Sequence, residues 1–217
     1  MEIERSAVAP AKSWNWGGLA SGVVALLLLL GVATVQPVAA GGPTEAMRSS
    51  IDEALKLIRD KEFTQPEKAE ERRQRLEKIV GDRFDYEEMS KRSLGAPWNS
   101  LSDIEKQEFV SLFRTLLTKS YAEKIETYSG EGVLYINERI EKDYAEVRTK
   151  VLTGKVEIPL DYRLINKEDD WRVYDVIVDG ISLVNNYRGQ FSKILRSSSY
   201  ADLVDQLRKK SDKIKAP

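Results

Sequence analysis

The spacing of hydrophobic positions changes period twice along the chain, from helical to alternating near Gly132 and back to helical near Gly180. From Met47 to Asp60 the residues Met47, Ile51, Ala54, Leu55 and Ile58 recur at steps of three and four, the stripe of an amphipathic helix. Thr64 stands three before Glu67 with Pro66 between them, a capping box that predicts a charge-rich second helix carrying Ala69, Leu76, Ile79 and Val80 and stopped by Gly81. Asp85 and Glu88 make a similar pair, opening a short helix with Phe84, Met89 and Leu94 on its apolar side and Gly95-Ala96-Pro97 at its end. Ser102 with Glu105 is a further box. After it Ile104, Phe109, Phe113, Leu116, Leu117, Tyr121, Ile125 and Tyr128 keep helical spacing up to Gly130, which predicts the longest helix.

Beyond Gly132 the β-rich runs 133–136, 144–152, 156–165 and 171–178 are separated by polar turns, which predicts four strands in an antiparallel meander. Ile158, Leu160, Tyr162 and Leu164 alternate with Glu157, Pro159, Asp161 and Arg163, so that strand buries one face, and Pro159 predicts an edge or a bulge. In the last run Val173 and Ile177 fall on one face and Tyr174, Val176 and Val178 on the other, which predicts a strand covered on both sides. Asp179-Gly180 ends the sheet, Ile181, Leu183, Val184, Tyr187, Phe191, Ile194 and Leu195 return to helical spacing, and Ser199 with Asp202 caps a final helix. That helix reads as frayed from Arg208 onward, with residues 211–217 a flexible tail. Helices, then strands, then helices predict an α+β fold: one domain over residues 45–210, its helices packed on one face of a curved antiparallel sheet.

Ahead of this domain, residues 17–35 carry no charge and follow a segment containing Arg5 and Lys12. Val38-Ala39-Ala40 then offers small residues for cleavage. The pattern predicts a secretory signal peptide over residues 1–40, with an uncleaved membrane anchor as the alternative, because about 20 apolar residues span a bilayer. On either reading the domain lies outside the cytoplasm. Removing this segment takes away Glu2, Glu4, Arg5 and Lys12, so the net charge of -1 is unchanged, and no basic surplus is present to neutralise a nucleic acid.

The chain has no cysteine and no histidine, which excludes disulfides, thiolate nucleophiles, imidazole triads and the usual zinc ligand sets. Carboxylates remain. Asp161, Asp175 and Asp179 cluster on the strands, where a paired-carboxylate glycosidase could use them, but turn chemistry and surface solubility are the ordinary account of such residues. No phosphate loop, nucleotide fingerprint or EF-hand spacing is present, and Gly95, Gly130 and Gly180 fall where elements end.

Three segments follow in close order: Ile158-Pro159-Leu160-Asp161-Tyr162-Arg163-Leu164, Trp171-Arg172-Val173-Tyr174-Asp175-Val176 and Asp179-Gly180-Ile181-Ser182-Leu183-Val184-Asn185-Asn186-Tyr187-Arg188-Gly189-Gln190-Phe191. With Phe84-Asp85-Tyr86-Glu87-Glu88-Met89-Ser90, Leu94-Gly95, Trp98 and the helix from Leu101-Ser102 upstream, the ordered set resembles the MlaC (toluene-tolerance) family over residues 45–210. The long, weakly basic N-terminal segment and the charge-rich stretch Glu67 to Lys78 depart from that pattern. The resemblance implies a periplasmic, non-enzymatic phospholipid carrier with a cystatin-like, cone-shaped sheet and no cofactor, the phospholipid being cargo. Its implied partners are an outer-membrane lipoprotein complex and an inner-membrane ABC transporter complex with a lipid-binding periplasmic subunit. The rival reading is a membrane-anchored adaptor whose aromatic core holds no cavity.

For a carrier the expected lining comes from Phe84, Met89, Leu94, Trp98, Phe109, Phe113 and Leu116 of the early helices, Leu160 and Tyr162 of the sheet, and Leu183, Tyr187 and Phe191 of the late helix. Aromatic stripes at helical spacing are also what an ordinary core looks like. Arg188 and Lys91 are the charged residues that could meet a phosphate, against the alternative of simple solvation.

Overall fold

A computed structural model of the protein describes residues 41–154 and 156–213, leaving aside the side chains of Glu123, Glu126 and Lys213. The expected signal segment over residues 1–40 lies outside the described residues. The first helix, α1 (Pro43–Arg59), opens with proline, whose missing N–H is no loss in a first turn. The Thr44 N–H donates instead to the Glu138 carboxylate, 2.7 Å away.

The capping box expected at Thr64 does not form. The Thr64 hydroxyl donates to the Lys61 carbonyl at 2.9 Å, and a 3-10 turn at Pro66–Lys68 leads into α2 (Ala69–Arg83), which has no side-chain cap. Gly81 does not stop this helix either; it gives room, since a Cβ there would stand 2.8 Å from Arg114 Nη2.

The next two starts follow the sequence. At α3 (Tyr86–Leu94) the Asp85 side chain accepts the Glu88 N–H at 2.9 Å, and Gly95 at φ +71° ends the helix. A 3-10 turn, Ala96–Ser100, then buries Trp98. At α4 (Asp103–Glu126) the box is reciprocal: Glu105 Oε2 accepts from the Ser102 N–H at 2.8 Å and from its hydroxyl at 2.7 Å, and the Glu105 N–H donates back at 3.4 Å.

Ser102→Ala is expected to lower the melting temperature by roughly 2–4 °C, the usual worth of one cap in a chain of this size. The hydrogen bond from the Ser102 hydroxyl, followed by that from its N–H, holds the Glu105 carboxyl below its ordinary range. Its contribution is therefore complete above the ordinary glutamate pKa of about 4.3 and fades as the pH falls. Thermal scans of wild type and variant should converge in acid.

Five strands form one antiparallel sheet in chain order: β1 (Gly132–Glu141), β2 (Tyr144–Leu152), β3 (Glu157–Lys167), β4 (Asp170–Val178) and β5 (Ile181–Ser182). The first runs longer than the 133–136 expected, and the fifth was unexpected. The α+β class and the antiparallel meander are as the sequence reading has them.

Pro159 is on neither an edge strand nor a bulge, since β3 is the middle strand. It precedes the first β3–β4 pair, Leu160 with Val178, and its carbonyl accepts the Asp179 N–H at 3.0 Å. The side of its backbone that lacks an N–H thus looks past the end of β4.

The irregular pattern of β4 has one cause. Arg163 pairs with Asp175 but Leu164 with Val173, so Tyr174 is an extra, bulged residue. The bulge shifts the phase, and Trp171, Val173, Val176 and Val178 all share the face of Leu164, Tyr162 and Leu160. Val176 and Val178 therefore join Val173 on one apolar face rather than lying opposite it, while the expected covering on both sides holds: on the other face Asp175 is buried and Tyr174 packs against the helical core.

The expected start of the next helix at Ile181 is also corrected: Ile181 pairs with Val178 in β5. Ser182 caps α5 (Leu183–Ser197), accepting the Asn185 N–H at 3.0 Å. A Ser199–Asp202 box opens α6 (Tyr200–Lys213). This helix does not fray at Arg208 but continues to Lys213, with Ser211 buried and its carbonyl accepting from Lys119 Nζ at 2.9 Å. Residues 214–217 lie outside the described residues.

Candidate functional site

The register of the sheet fixes which side chains share a face. Across β2, β3 and β4 the inward rows are Ala145–Leu164–Val173, Val147–Tyr162–Val176 and Thr149–Leu160–Val178, with Val151–Ile158 closing the end. On β1, Val133 and Tyr135 lie on this face, opposite Val151 and Thr149. Thr149, the polar member, is 1% exposed and turns its hydroxyl onto the Leu160 carbonyl.

Helix α1 covers this inner face with Met47, buried, and with Ala46 and Ile51, half-buried. Burial is graded along the strands. The rows of Leu164 and Tyr162 are buried, whereas Val133, Tyr135, Val151, Ile158, Leu160 and Val178 are half-exposed. Burial pushes the Tyr162 hydroxyl up, with the neighbouring Tyr135 adding to it, and pushes the Tyr135 hydroxyl up to about 12. Both stay protonated donors at neutral pH.

The structure divides the twelve residues expected to line a cavity. Met89, Leu94, Trp98, Phe109, Phe113, Leu116, Tyr187 and Phe191 pack together as the core of the helical half. Phe113 meets Tyr187 and Phe191 edge-on, with centroids 5.1 and 5.5 Å apart. Leu160, Tyr162 and Leu183 belong instead to the inner face of the sheet, and Phe84 packs against both groups.

The sequence reading missed Tyr135, Val147, Val151, Val176 and Val178 on that face. Their signal was partly available: Ala145, Val147, Thr149 and Val151 alternate with Glu146, Arg148 and Lys150.

The outer face has a different chemistry. Between it, α3 and α5 lies a polar cleft of about 550 Å³, lined among others by Glu88, Lys91, Arg92, Arg163, Asp175 and Arg188. Most of its charges neutralise one another: Arg92 pairs with Glu88 at 2.7 Å and Arg163 with Asp175 at 3.3 Å. Lys91 stands 3.9 Å from Glu88, and Arg188 has no ion-pair partner among the described residues.

The carboxylates weighed for catalysis serve the backbone. Asp175 accepts from the Ser182 hydroxyl at 2.7 Å and the Val184 N–H at 3.0 Å, joining the sheet to α5. Asp161 accepts the Thr149 N–H at 3.2 Å. Asp179, at φ 49°, forms the β4–β5 turn with Gly180. Among the described residues no group of three or more acidic side chains is placed to hold a metal ion. Nor is any helix there long and apolar enough to cross a membrane.

An open antiparallel sheet with one apolar and one charged face, flanked by helices, defines an α+β protein built around an apolar surface. The sequence model of the family described as MlaC protein matches residues 48–209, and the chain belongs to that family.

Similar proteins include the "Intermembrane phospholipid transport system binding protein MlaC" of Haemophilus influenzae, 22% identical over 120 residues, or 52% of this chain and 56% of that protein. The match thus spans a little over half of that relative's length. The "Toluene tolerance protein ttg2D" of Pseudomonas putida is 24% identical over 174 residues, 79% of this chain and 81% of that protein. Among solved structures, a phospholipid-binding protein from Ralstonia solanacearum in complex with a phospholipid has the same fold. Its TM-score is 0.69 at 22% identity, over 80% of this chain and 99% of that one.

Proposed function

We propose that this chain is a non-enzymatic phospholipid carrier of the periplasm, which takes acyl chains against the inner face of its sheet. The observation that carries this reading is the largely apolar inner face spanning β1 to β4, covered by α1 and half-exposed at one end. Membership of the MlaC family and the phospholipid complex of the Ralstonia solanacearum protein support it.

A diacyl phospholipid has on the order of 30 methylenes, and at about 0.8 kcal/mol each their exposure to water costs roughly 24 kcal/mol. Carriage through an aqueous compartment therefore needs an apolar enclosure. Lifting α1 from the sheet would create one without disturbing the aromatic packing of the helical half. In this proposal Phe84, Leu160, Tyr162 and Leu183 touch the tails. The eight residues of the helical core form the scaffold, reached by the tails only if that packing opens. Donor and acceptor would be the outer-membrane lipoprotein complex and the inner-membrane ABC transporter complex with its lipid-binding subunit, as the transport-system name of the Haemophilus influenzae relative suggests.

The test is native mass spectrometry of protein purified without detergent, followed by organic extraction and uptake from phospholipid vesicles. One phospholipid per chain is the expected result. A lipid-free protein that also takes none from vesicles would overturn the carrier reading and favour an adaptor.

A further inference from the structure

Tyr135 is out of place in an apolar surface. It lies on the inner face, opposite Thr149, with Leu160 next in the same row. Its hydroxyl is shut off from solvent and has no hydrogen-bond partner among the described residues. A buried hydroxyl left unpaired is destabilising, so a water or a ligand group that reached it would be bound there. Such a partner must be an acceptor or a donor that enters along the apolar face.

A cation stands at the same place. The Arg48 guanidinium, on α1, sits over the Tyr135 ring with its carbon 4.1 Å from the centroid. Its ion pair is a long 3.9 Å contact with Glu45, whose side chain is 68% exposed. No shorter ion pair among the described residues fixes it in place. Arg48 is thus a weakly committed cation on the helix that would move, facing an unpaired donor on the sheet that would stay.

We propose that Tyr135 and Arg48 bind the polar end of the carried lipid, Tyr135 donating to an oxygen of the glycerol-phosphate region and Arg48 pairing with the phosphate. This deepens the carrier reading and rests on it. The tails would then run from the β1 edge across the Leu160 row toward Val178 and Leu183. The lipid would be held by its phosphodiester as well as by its hydrocarbon.

The experiment compares wild type, Tyr135→Phe and Arg48→Gln for partition between protein and vesicles. Vesicles of phosphatidylglycerol and vesicles doped with diacylglycerol, which has the tails without the phosphate, are used in parallel. Tyr135→Phe is expected to bind phosphatidylglycerol roughly fivefold more weakly, the net worth of one hydrogen bond. The melting temperature of the lipid-free variant should be equal or higher, because nothing is lost with that hydroxyl in the empty protein.

Arg48→Gln should weaken phosphatidylglycerol binding by a similar factor and leave diacylglycerol binding unchanged. Arg139→Gln, on the outer side of β1 beside Glu141, removes the same charge and should change neither. Tyr135→Phe binding as wild type, a fall in its lipid-free melting temperature, or equal losses for both lipids in Arg48→Gln would each overturn the assignment. A wild type that takes up neither lipid overturns the carrier reading and the assignment with it.

Discussion

Leu160→Glu is expected to give a folded protein that retains less than about a tenth of the wild-type phospholipid. Leu160 lies between Thr149 and Val178 on the inner face and is only half-buried, so a glutamate there can turn its carboxylate to water in the empty protein. In the loaded protein the same carboxylate would lie against hydrocarbon. A penalty of about 1.4 kcal/mol already corresponds to a tenfold loss, and burying an ionised group unpaired costs more than that. Native mass spectrometry and vesicle partition read the loss, and circular dichroism melting shows whether the fold survives. Undiminished lipid in a folded Leu160→Glu protein would remove the sheet's inner face as the binding surface.

Phe113→Ala should do the opposite. Phe113 is fully buried among Phe109, Tyr187 and Phe191, and replacing such a ring by alanine costs about 3–5 kcal/mol through lost burial and the cavity left behind. The melting temperature should fall by 10 °C or so on the scale of about 2–4 °C per kcal/mol. Lipid bound per folded molecule should stay near wild type at a temperature where the variant is folded. Loss of lipid without loss of stability would instead place the helical aromatics in the binding surface.

The two variants separate what the sequence alone could not. Phe109, Phe113, Tyr187 and Phe191 recur at helical spacing, and that spacing reports that a face is buried, without reporting against what. Which residues join the sheet rather than the helical half depends on strand register, a contact between distant segments.

β4 illustrates the limit. Its inward residues Trp171, Val173, Val176 and Val178 break strict alternation because Tyr174 is bulged out, and a bulge adds a residue without any composition of its own. Where the interaction was local the sequence sufficed: the Ser102–Glu105 and Ser199–Asp202 boxes formed as spaced. Thr64 and Gly81 misled for the complementary reason. The Thr64 hydroxyl found a nearer acceptor in Lys61, and Gly81 answers to Arg114, which is remote in sequence.

The chain-order pairing of the strands also bears on how the molecule assembles. Each hairpin joins segments adjacent in sequence, with short turns to close, whereas α1 reaches its partner on β1 across a separation of 94 residues, as in the Thr44–Glu138 contact. Loop-closure entropy favours the near contacts first, so the sheet is expected to be complete before α1 docks on it. In that order the inner face is the last surface to be covered. On the carrier reading proposed above, admission of lipid would reverse only that docking of α1 and leave the strand pairing intact.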